Sequence, residues 1–272
     1  MVFEDGQDPA GTATADGVRS KLMNFIKKLL FTLLLVSAGA FAAGDEAKLD
    51  RAPIEERNLI SLQRGAQVFV NYCLNCHSAN YMRYNRLQDL GLNEQQIRDN
   101  LIFTGAKIGD LMKIAMEPRD SKQWFGTPPP DLTVIARSRS SPAGSGSDWL
   151  YTYLRGFYRD SSRPTGWNNV VYPSVAMPHV LWELQGEQVL KEEKVAGPGY
   201  TKREHKLVLG KPGTMTPVEY DRMVADLVNY MSYMAEPARH DRKTIGIYAQ
   251  MFLGLMFIFA YLLKKEYWKD VH

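Results

Sequence analysis

Two cysteines and a histidine lie within five residues of each other, and their types and spacing are suited to holding a metal-bearing ring. The run reads Cys73-Leu74-Asn75-Cys76-His77, and the chain of 272 residues contains no other cysteine. Two thiols at this spacing can add across the vinyl groups of a porphyrin as thioethers, and the adjacent imidazole can bind its iron. The motif therefore predicts one covalently bound haem of the c type.

Three other uses of the two cysteines have less support. A redox disulfide of the thioredoxin type needs a β-α-β context, whereas a helical pattern precedes Cys73. A zinc site usually has four ligands in two pairs, and the sequence has no second pair of cysteines. A structural disulfide between residues three apart closes too small a loop to stabilise the fold much. We therefore expect haem attachment.

The sixth iron ligand must come from elsewhere in the chain. Met177 lies in an irregular loop bounded by prolines, and such a loop can hold a thioether across from a helix-borne imidazole. His179 is the rival ligand, and Met177 could instead be a packing residue. The other histidines are less well placed: His205 is in a charged run, His240 at the membrane end and His272 in the tail. A methionine–histidine pair fills both axial positions and raises the potential, which favours electron transfer over O₂ chemistry.

Two helices are predicted to position the motif. Small and apolar residues recur on one face of Ser61–Asn71, which leads into Cys73. Gly65 on that face permits close approach of another backbone, with Phe69 packing beside it. The expected partner is Pro217–Ala235, which has a capping box at its start and a broad apolar stripe.

Shorter elements connect these two helices. A helix is predicted after Asn93, and another after a cap at Ser147 or Asp148. The segments Gln188–Val195 and His205–Leu209 are predicted to pair as a small hairpin, because a turn-rich Gly-Pro-Gly run separates them. The three methionines on the apolar stripe of Pro217–Ala235 are predicted to be core residues and not iron ligands; they are Met223, Met231 and Met234.

The N-terminal region has the pattern of a secretory signal peptide. Lys27 and Lys28 precede an apolar run, Leu29–Val36, and an A-x-A cleavage pattern ends at Ala42. The alternative is an N-terminal anchor that is not cleaved. The acidic stretch before Met23 does not suit the front of a signal peptide. This stretch is a wrongly assigned start of translation, a tag or a native extension. We therefore assign residues 1–42 to an N-terminal extension followed by a cleavable signal peptide.

A second apolar segment, Ile245–Leu263, has the length that crosses a bilayer, with Gln250 as its strongly polar side chain. The alternative is a buried core helix. Basic residues flank both ends equally, so the signal peptide decides the orientation by exporting the residues after it. We expect a single-pass protein of the bacterial inner membrane, with a periplasmic haem domain at 43–243, an anchor at 244–264 and a cytoplasmic tail at 265–272.

The formal net charge of +3 is concentrated near the predicted anchor. Residues 239–272 carry six Lys and Arg against three Asp and Glu, whereas 43–238 is balanced. Nothing in this pattern indicates nucleic-acid binding. The basic flanks instead favour contact with membrane lipid.

Several motifs together resemble one family over roughly residues 50–272. In chain order they are Cys73 to His77 followed by Ser78-Ala79-Asn80-Tyr81-Met82-Arg83-Tyr84, then Pro128-Pro129-Pro130-Asp131-Leu132-Thr133 with Ala136-Arg137, then Val175-Ala176-Met177-Pro178, and Ala235-Glu236-Pro237 before the apolar segment. This combination resembles the cytochrome c1 family, the haem subunits of quinol–cytochrome c reductase (the cytochrome bc1 complex), of proteobacterial type.

The resemblance implies a fold and a set of site residues. The fold would be mainly α: a class I-like c-type haem domain with loop and small β-hairpin insertions, plus one C-terminal transmembrane helix. Met177 matches the family's axial methionine, and the haem-edge loop matches Pro129, Pro130 and Leu132. The family's arginine near a haem propionate is matched to Arg119, with Lys122 as an alternative. An additional cysteine pair found in some members is absent from this sequence.

The resemblance also implies a role with no catalytic site in this chain. An electron would pass from a Rieske iron–sulfur protein, through a His/Met haem, to a mobile cytochrome c, within a complex that contains cytochrome b. One alternative is an independent membrane-anchored cytochrome c that feeds a terminal oxidase. Another is a haem-based sensor or assembly protein. A sensor needs an exchangeable iron ligand, and Met177 as the sixth ligand argues against one.

Overall fold

The computed structural model describes residues 48–197 and 200–270. At residues 194–197 and 200–205 it describes the backbone but not the side chains. The predicted extension and signal peptide at 1–42 lie outside the described residues. So do His272 and the side chain of His205.

The described residues form a mainly helical structure with three two-stranded antiparallel sheets. The helices are α1 Leu59–Val68, α2 Glu94–Leu101, α3 Pro118–Phe125, α4 Ile135–Ser138, α5 Gly146–Arg155, α6 Trp182–Gln185, α7 Pro217–Ala235 and α8 Arg239–Tyr267. The strands are β1 Ala79–Arg83, β2 Leu111–Met112, β3 Phe157–Arg159, β4 Trp167–Asn169, β5 Gly186–Gly197 and β6 Tyr200–Pro212, and they pair β1 with β2, β3 with β4 and β5 with β6. The predicted fold class, mainly α with small sheets, is confirmed.

Helices α1 and α7 cross at Gly65, as the sequence predicts. A Cβ atom placed on Gly65 would lie 2.0 Å from the backbone oxygen of Asp226 and 2.7 Å from the Cβ of Tyr230. The two backbones are therefore in direct contact, which only glycine permits. Beside the crossing, the rings of Phe69 and Tyr230 lie 5.5 Å apart, and Arg64 donates to the Asp226 carboxylate at 2.6 and 3.1 Å. This contact fixes the end of α1, which leads into the cysteine motif.

Capping boxes set the beginnings of three of the described helices. The capping box predicted at Thr216 opens α7, and Asn93 caps α2 as predicted. The predicted cap of α5, Ser147 or Asp148, is wrong, because the cap is Ser145. Ser145 accepts a hydrogen bond from the Asp148 backbone, while the Asp148 carboxylate accepts from the Ser145 backbone. Asp148 is thus the third helical residue of a capping box and not the cap itself.

The apolar stripe of α7 forms the centre of the core. Met223, Met231 and Met234 are all buried, so their predicted role as core residues is confirmed. Helix α5 packs on the same helix, and the buried hydroxyl of Tyr220 donates to the Leu154 carbonyl at 2.9 Å. The core therefore joins the helix that leads into the motif to the helices that come later in the chain.

The predicted hairpin between residues 188 and 209 is confirmed and is longer than predicted. Strands β5 and β6 pair from Gly186 with Pro212 to Gly197 with Tyr200, and an irregularity lies between Glu187 and Gln188. Strict alternation of polar and apolar residues is the main sequence signal for a strand. The residues at the ends of β5 and β6 alternate less clearly, so the sequence does not indicate where these strands begin and end.

Helix α8 is long and apolar enough to cross a membrane, by length and composition. Its apolar residues are exposed along its length, so the alternative of a buried core helix is wrong. Three residues, Glu236 to Ala238, separate it from α7. Arg239 forms an ion pair with Glu56 at 2.9 Å. The candidate anchor is therefore attached to the domain that carries the cysteine motif (the haem-motif domain, residues 48–235) by a short junction, which the Arg239–Glu56 ion pair holds in place.

Candidate functional site

The cysteine motif continues from α1 without a break. Residues Phe69–Cys73 form one wider, π-type turn, in which the amide of Leu74 donates to the carbonyl of Phe69 at 3.0 Å. The amides of Cys76 and His77 then both donate to the carbonyl of Cys73, at 3.1 and 2.9 Å. Turns of this wide type are frequent at functional sites. The three side chains of the motif are thus carried on one compact turn, as the spacing predicts.

Both thiols are unpaired and half-buried. Burial raises the pKa of the Cys73 thiol to about 12, and the neighbouring Cys76 contributes to the rise. The raised pKa disfavours the thiolate, which is the reactive form of a redox cysteine. Both sulfurs are unpaired and therefore available for thioether bonds to a ring.

The imidazole of His77 is oriented by a backbone carbonyl. Its Nδ1 lies 2.8 Å from the carbonyl oxygen of Pro130. A carbonyl can only accept, so Nδ1 carries the proton and donates, and Nε2 has the lone pair that a metal needs. Burial lowers the pKa of His77 and outweighs the opposing effects of the Pro130 carbonyl and the Asp131 carboxylate. The neutral tautomer that binds iron is therefore the favoured one.

The loop that carries Pro130 is fastened to the chain after His77. The Leu132 amide donates to the Ser78 carbonyl at 3.0 Å. The Asp131 carboxylate accepts from the amide of Asn80 at 2.7 Å and from that of Thr133 at 2.9 Å. The bonds to Ser78 and Asn80 join segments that are far apart in sequence, and they hold the carbonyl of Pro130 against the imidazole.

Met177 packs at the edge of the core with its sulfur in a hydrogen bond. The hydroxyl of Tyr153 on α5 donates to Met177 Sδ at 3.4 Å. Met177 itself is half-buried, whereas Tyr153 is buried. The sequence singled out Met177 for its proline-bounded loop, but it gave no signal for Tyr153, which resembles any other aromatic residue on an amphipathic helix.

Two asparagines hold the loop that leads to Met177. Asn168 Oδ1 accepts from the amide of Ser174 at 2.8 Å, and Asn169 Oδ1 accepts from the amides of Val171 and Tyr172 at 2.9 and 3.2 Å. Ser174 has φ 63°, a left-handed conformation that is uncommon outside glycine. Side-chain acceptors for consecutive amides make such an irregular loop stable without secondary structure.

His179, the rival ligand, lies inside an aromatic cluster. Its ring stacks on Phe157 with centroids 4.7 Å apart and meets the edge of Trp167 at 5.0 Å. The residue is 2% exposed, and its Nε2 has no hydrogen-bond partner in the described part of the chain. Burial lowers the pKa of His179 to about 4. The imidazole is thus a neutral core group wedged between two rings.

The remaining predicted pocket residues divide into two groups. Pro129, Pro130 and Leu132 lie in the loop fastened beside His77, and Leu132 is buried. Arg119, matched to a haem propionate, is exposed on α3, and no hydrogen bond or ion pair within the described ranges ties its side chain to the motif. Lys122, the alternative, is exposed on the same helix. Their role toward a propionate stays a prediction.

The donor set of the site fits a covalently attached haem. Two free thiols and an imidazole with Nε2 uncommitted share one turn, and a thioether lies in a later loop that packs on the same core. Within residues 48–197 and 200–270, His, Cys, Asp and Glu form no group of three or more that could hold a metal ion. The motif therefore stands as the candidate site.

A cavity of about 1210 Å³ lies away from the motif. It is lined by Arg51, Ala52, residues 54–58 and the start of α8, among others. Two of its basic residues, Arg239 and Arg242, are paired with Glu56 and Glu236. None of the predicted haem-binding residues lines it, so it is not part of the candidate site.

Comparison with known proteins gives one family. The family model described as the Cytochrome C1 family matches residues 51–195 and 211–271. The matched ranges include the cysteine motif, the Pro129–Leu132 loop, Met177 and α8. The gap between them, 196–210, falls within the β5–β6 hairpin.

Two curated relatives cover at least 90% of the chain, and a third covers 77%. The ammonia monooxygenase gamma subunit of Nitrosomonas europaea is 54% identical over 250 residues, which is 92% of this chain and 100% of that protein. Cytochrome c1 of Allochromatium vinosum is 50% identical over 248 residues, 90% of this chain and 99% of that protein. Cytochrome c1 of Rhodospirillum rubrum is 26% identical, over 77% of this chain and 81% of that protein.

Proposed function

Since this chain belongs to the cytochrome c1 family, and with it to the haem-bearing electron-transfer subunits of the cytochrome bc1 complex, we propose how it performs that role. It binds one haem covalently through Cys73 and Cys76. His77 and Met177 would supply the two protein ligands of its iron. It takes an electron from the Rieske iron–sulfur protein and passes it to a mobile cytochrome c.

The bond between His77 Nδ1 and the Pro130 carbonyl is the observation that carries this proposal. It leaves Nε2 for iron, beside two free thiols on the same turn. A redox disulfide would not need this tautomer together with unpaired cysteines at this spacing. When bound, haem supplies the one-electron redox step, and the chain's own residues set its orientation and surroundings.

Met177 is proposed as the sixth ligand in preference to His179. Its sulfur lies at the edge of the core in a loop held by side-chain hydrogen bonds. His179 would have to leave its stack with Phe157 and Trp167 to reach any metal. With Met177 and His77 both bound, the iron would have no position left for an outside ligand, which suits electron transfer.

The same proposal includes a location and partners. The haem domain lies on the periplasmic side of the inner membrane, α8 crosses the bilayer, and the complex contains cytochrome b and the Rieske protein. The acceptor is a soluble or anchored cytochrome c. The exposed apolar length of α8 supports the membrane contact.

The name of the Nitrosomonas relative suggests a second role, as a subunit of a monooxygenase. The Nitrosomonas relative and the cytochrome c1 of Allochromatium vinosum match similar shares of this chain, and their sequence identities to it are similar. No observation on the described residues favours oxygenase chemistry over electron transfer.

The experiment replaces the chromosomal copy with Cys73→Ala, and with Asn75→Ala as the matched control inside the same motif. Asn75 is exposed and lies between the two cysteines without contributing a thiol. Membranes are assayed for a haem-stained band at this mass after denaturation and for quinol-dependent reduction of cytochrome c. We expect Cys73→Ala to lose both and Asn75→Ala to keep both.

Oxidation of pre-reduced cytochrome c should continue in all strains. If quinol-dependent reduction survives in Cys73→Ala and only oxidase activity falls, the chain is instead an anchored cytochrome c that feeds a terminal oxidase. If the wild-type band carries no covalent haem, the cofactor assignment is wrong.

A further inference from the structure

The hydroxyl of Tyr153 has a single acceptor in the described part of the chain, the sulfur of Met177 at 3.4 Å. Tyr153 is 7% exposed, and burial raises the pKa of its phenol well above the ordinary value. The group is therefore a neutral donor. Buried hydroxyls nearly always have a partner, so this hydrogen bond is the one that satisfies Tyr153.

The ring of Tyr153 has little freedom to turn away from the sulfur. It stacks on Trp149 with centroids 4.7 Å apart and planes at 13°, and it meets Phe157 in an edge contact at 5.1 Å. Arg139 covers the Trp149 ring with its guanidinium, 4.7 Å from the centroid. Ring contacts on this scale hold an aromatic side chain in one orientation.

One buried side chain connects the donor to the loop that carries the acceptor. Asn169 Nδ2 donates to the carbonyl of Tyr153 at 2.8 Å. The Oδ1 of the same amide accepts from Val171 and Tyr172, which precede Met177 in the loop. Asn169 is 0% exposed. Asn169 therefore connects the helix that carries the Tyr153 hydroxyl to the loop that carries the Met177 sulfur.

A second tyrosine–methionine pair shows what a plain packing contact looks like in this fold. Tyr230 donates to Met112 Sδ at 3.8 Å, and both residues are fully buried. Met177 differs because it is half-buried and lies in an irregular loop, so that part of the residue is not covered by protein. A thioether sulfur that accepts from Tyr153 with one lone pair keeps a second lone pair, which can bind a metal.

We propose that Tyr153 is a positioning residue that holds the Met177 thioether and weakens its electron donation to ferric iron. The proposal rests on the proposed function, in which Met177 is the sixth ligand. A thioether sulfur has two lone pairs, so it can bind iron with one and accept from Tyr153 with the other. A hydrogen bond to the sulfur withdraws electron density from it. The reduced iron is then favoured, and the reduction potential is raised, since it depends on the axial ligand and its hydrogen bonds.

The test compares Tyr153→Phe with Tyr151→Phe in the full-length chain carrying its haem. Tyr151 is on the same helix, but its ring lies under the guanidinium of Arg155, at 4.4 Å, and not beside Met177. Both variants lose only a hydroxyl. The readouts are the weak near-infrared absorbance expected of Met-ligated ferric haem and the midpoint potential. We expect Tyr153→Phe to lower the potential and to shift or remove that absorbance, whereas Tyr151→Phe leaves both unchanged.

A third variant, Met177→Leu, separates the two hypotheses. If Met177→Leu leaves the near-infrared absorbance in place, the sixth-ligand assignment has failed, and this inference with it. If Met177→Leu removes the absorbance but Tyr153→Phe matches Tyr151→Phe in potential and spectrum, Tyr153 has no positioning role and only this inference is overturned. A rise in potential on Tyr153→Phe would also overturn it. Circular dichroism confirms that each variant is folded.

Discussion

The orientation of His77 depends on a carbonyl group 53 residues farther along the chain. The sequence identifies His77 as a ligand because the two cysteines of the motif lie within four residues of it. It does not mark the Pro130 carbonyl or the Tyr153 hydroxyl, because backbone acceptors and aromatic side chains carry no distinctive pattern. The Pro129–Leu132 loop was predicted only from the resemblance to the cytochrome c1 family. Ligands are therefore readable from sequence here, while the groups that orient them require the tertiary structure.

At this scale the identity of the sixth ligand is the main prediction. Met177→Leu should abolish the near-infrared absorbance and lower the potential substantially, because leucine has no donor atom. His179→Ala is the matched comparison, since its imidazole is held between Phe157 and Trp167. It should reduce stability by opening a cavity, yet leave the absorbance. Spectra of the purified ferric chains decide the assignment, and the reverse pattern would transfer the ligand role to His179.

The helix crossing at Gly65 is the element on which the motif depends. Helical periodicity predicted both helices of the crossing, and the glycine predicted where they touch. The wide turn Phe69–Cys73 was not predictable, since nothing in a helical pattern distinguishes it from ordinary continuation. The cap of α5 was misplaced because Ser145, Ser147 and Asp148 are all good caps, and only the geometry selects among them.

Substitution of the crossing glycine tests this dependence. In Gly65→Ala the new Cβ would lie 2.0 Å from the Asp226 backbone oxygen, so α1 and α7 must move apart. We expect a loss of about 1–3 kcal/mol in the free energy of unfolding, even though alanine is the better helix former.

The control is Gln67→Ala on the exposed face of the same helix, which should change stability by less than about 0.5 kcal/mol. Thermal unfolding of the detergent-solubilised chain, followed by circular dichroism, measures both variants. Equal midpoints for the two would show that the crossing tolerates a side chain.

At the scale of the whole molecule, the chain combines a core-bearing haem-motif domain with a helix that has no covering in the described residues. Hydropathy predicted the helix within a few residues, since a long apolar run without charges is among the strongest sequence signals. Its ends extend beyond the apolar run, to Arg239 and Tyr267, because polar residues with good helix propensity continue the same hydrogen-bond pattern.

Truncation tests which segment holds the chain in the membrane. A chain that ends at Lys243 keeps the pairs Arg239–Glu56 and Arg242–Glu236 but loses the apolar length of α8. We expect it in the soluble fraction after alkaline washing, still carrying haem, while the full chain stays with the membranes. Retention of the truncated chain would indicate an uncleaved N-terminal anchor.

Sidedness is a separate prediction. Reporter fusions placed after Asp270 should read as cytoplasmic, and fusions placed after Lys243 should read as periplasmic, because an exported domain followed by one crossing leaves the C-terminus inside. The measurement is the ratio of a cytoplasm-active to a periplasm-active reporter at each site. The same reading at both sites would mean that α8 does not cross.

The junction of Glu236, Pro237 and Ala238 is too short to act as a flexible linker, and Arg239 is bonded back to Glu56. When α8 lies across a bilayer, the domain and the helix must therefore rotate together. A protein held by a transmembrane helix diffuses in two dimensions, and a domain joined rigidly to that helix keeps the same side toward the bilayer. Partners in the same membrane would meet a nearly constant face, and part of the orientational restriction that slows protein encounters is removed before collision.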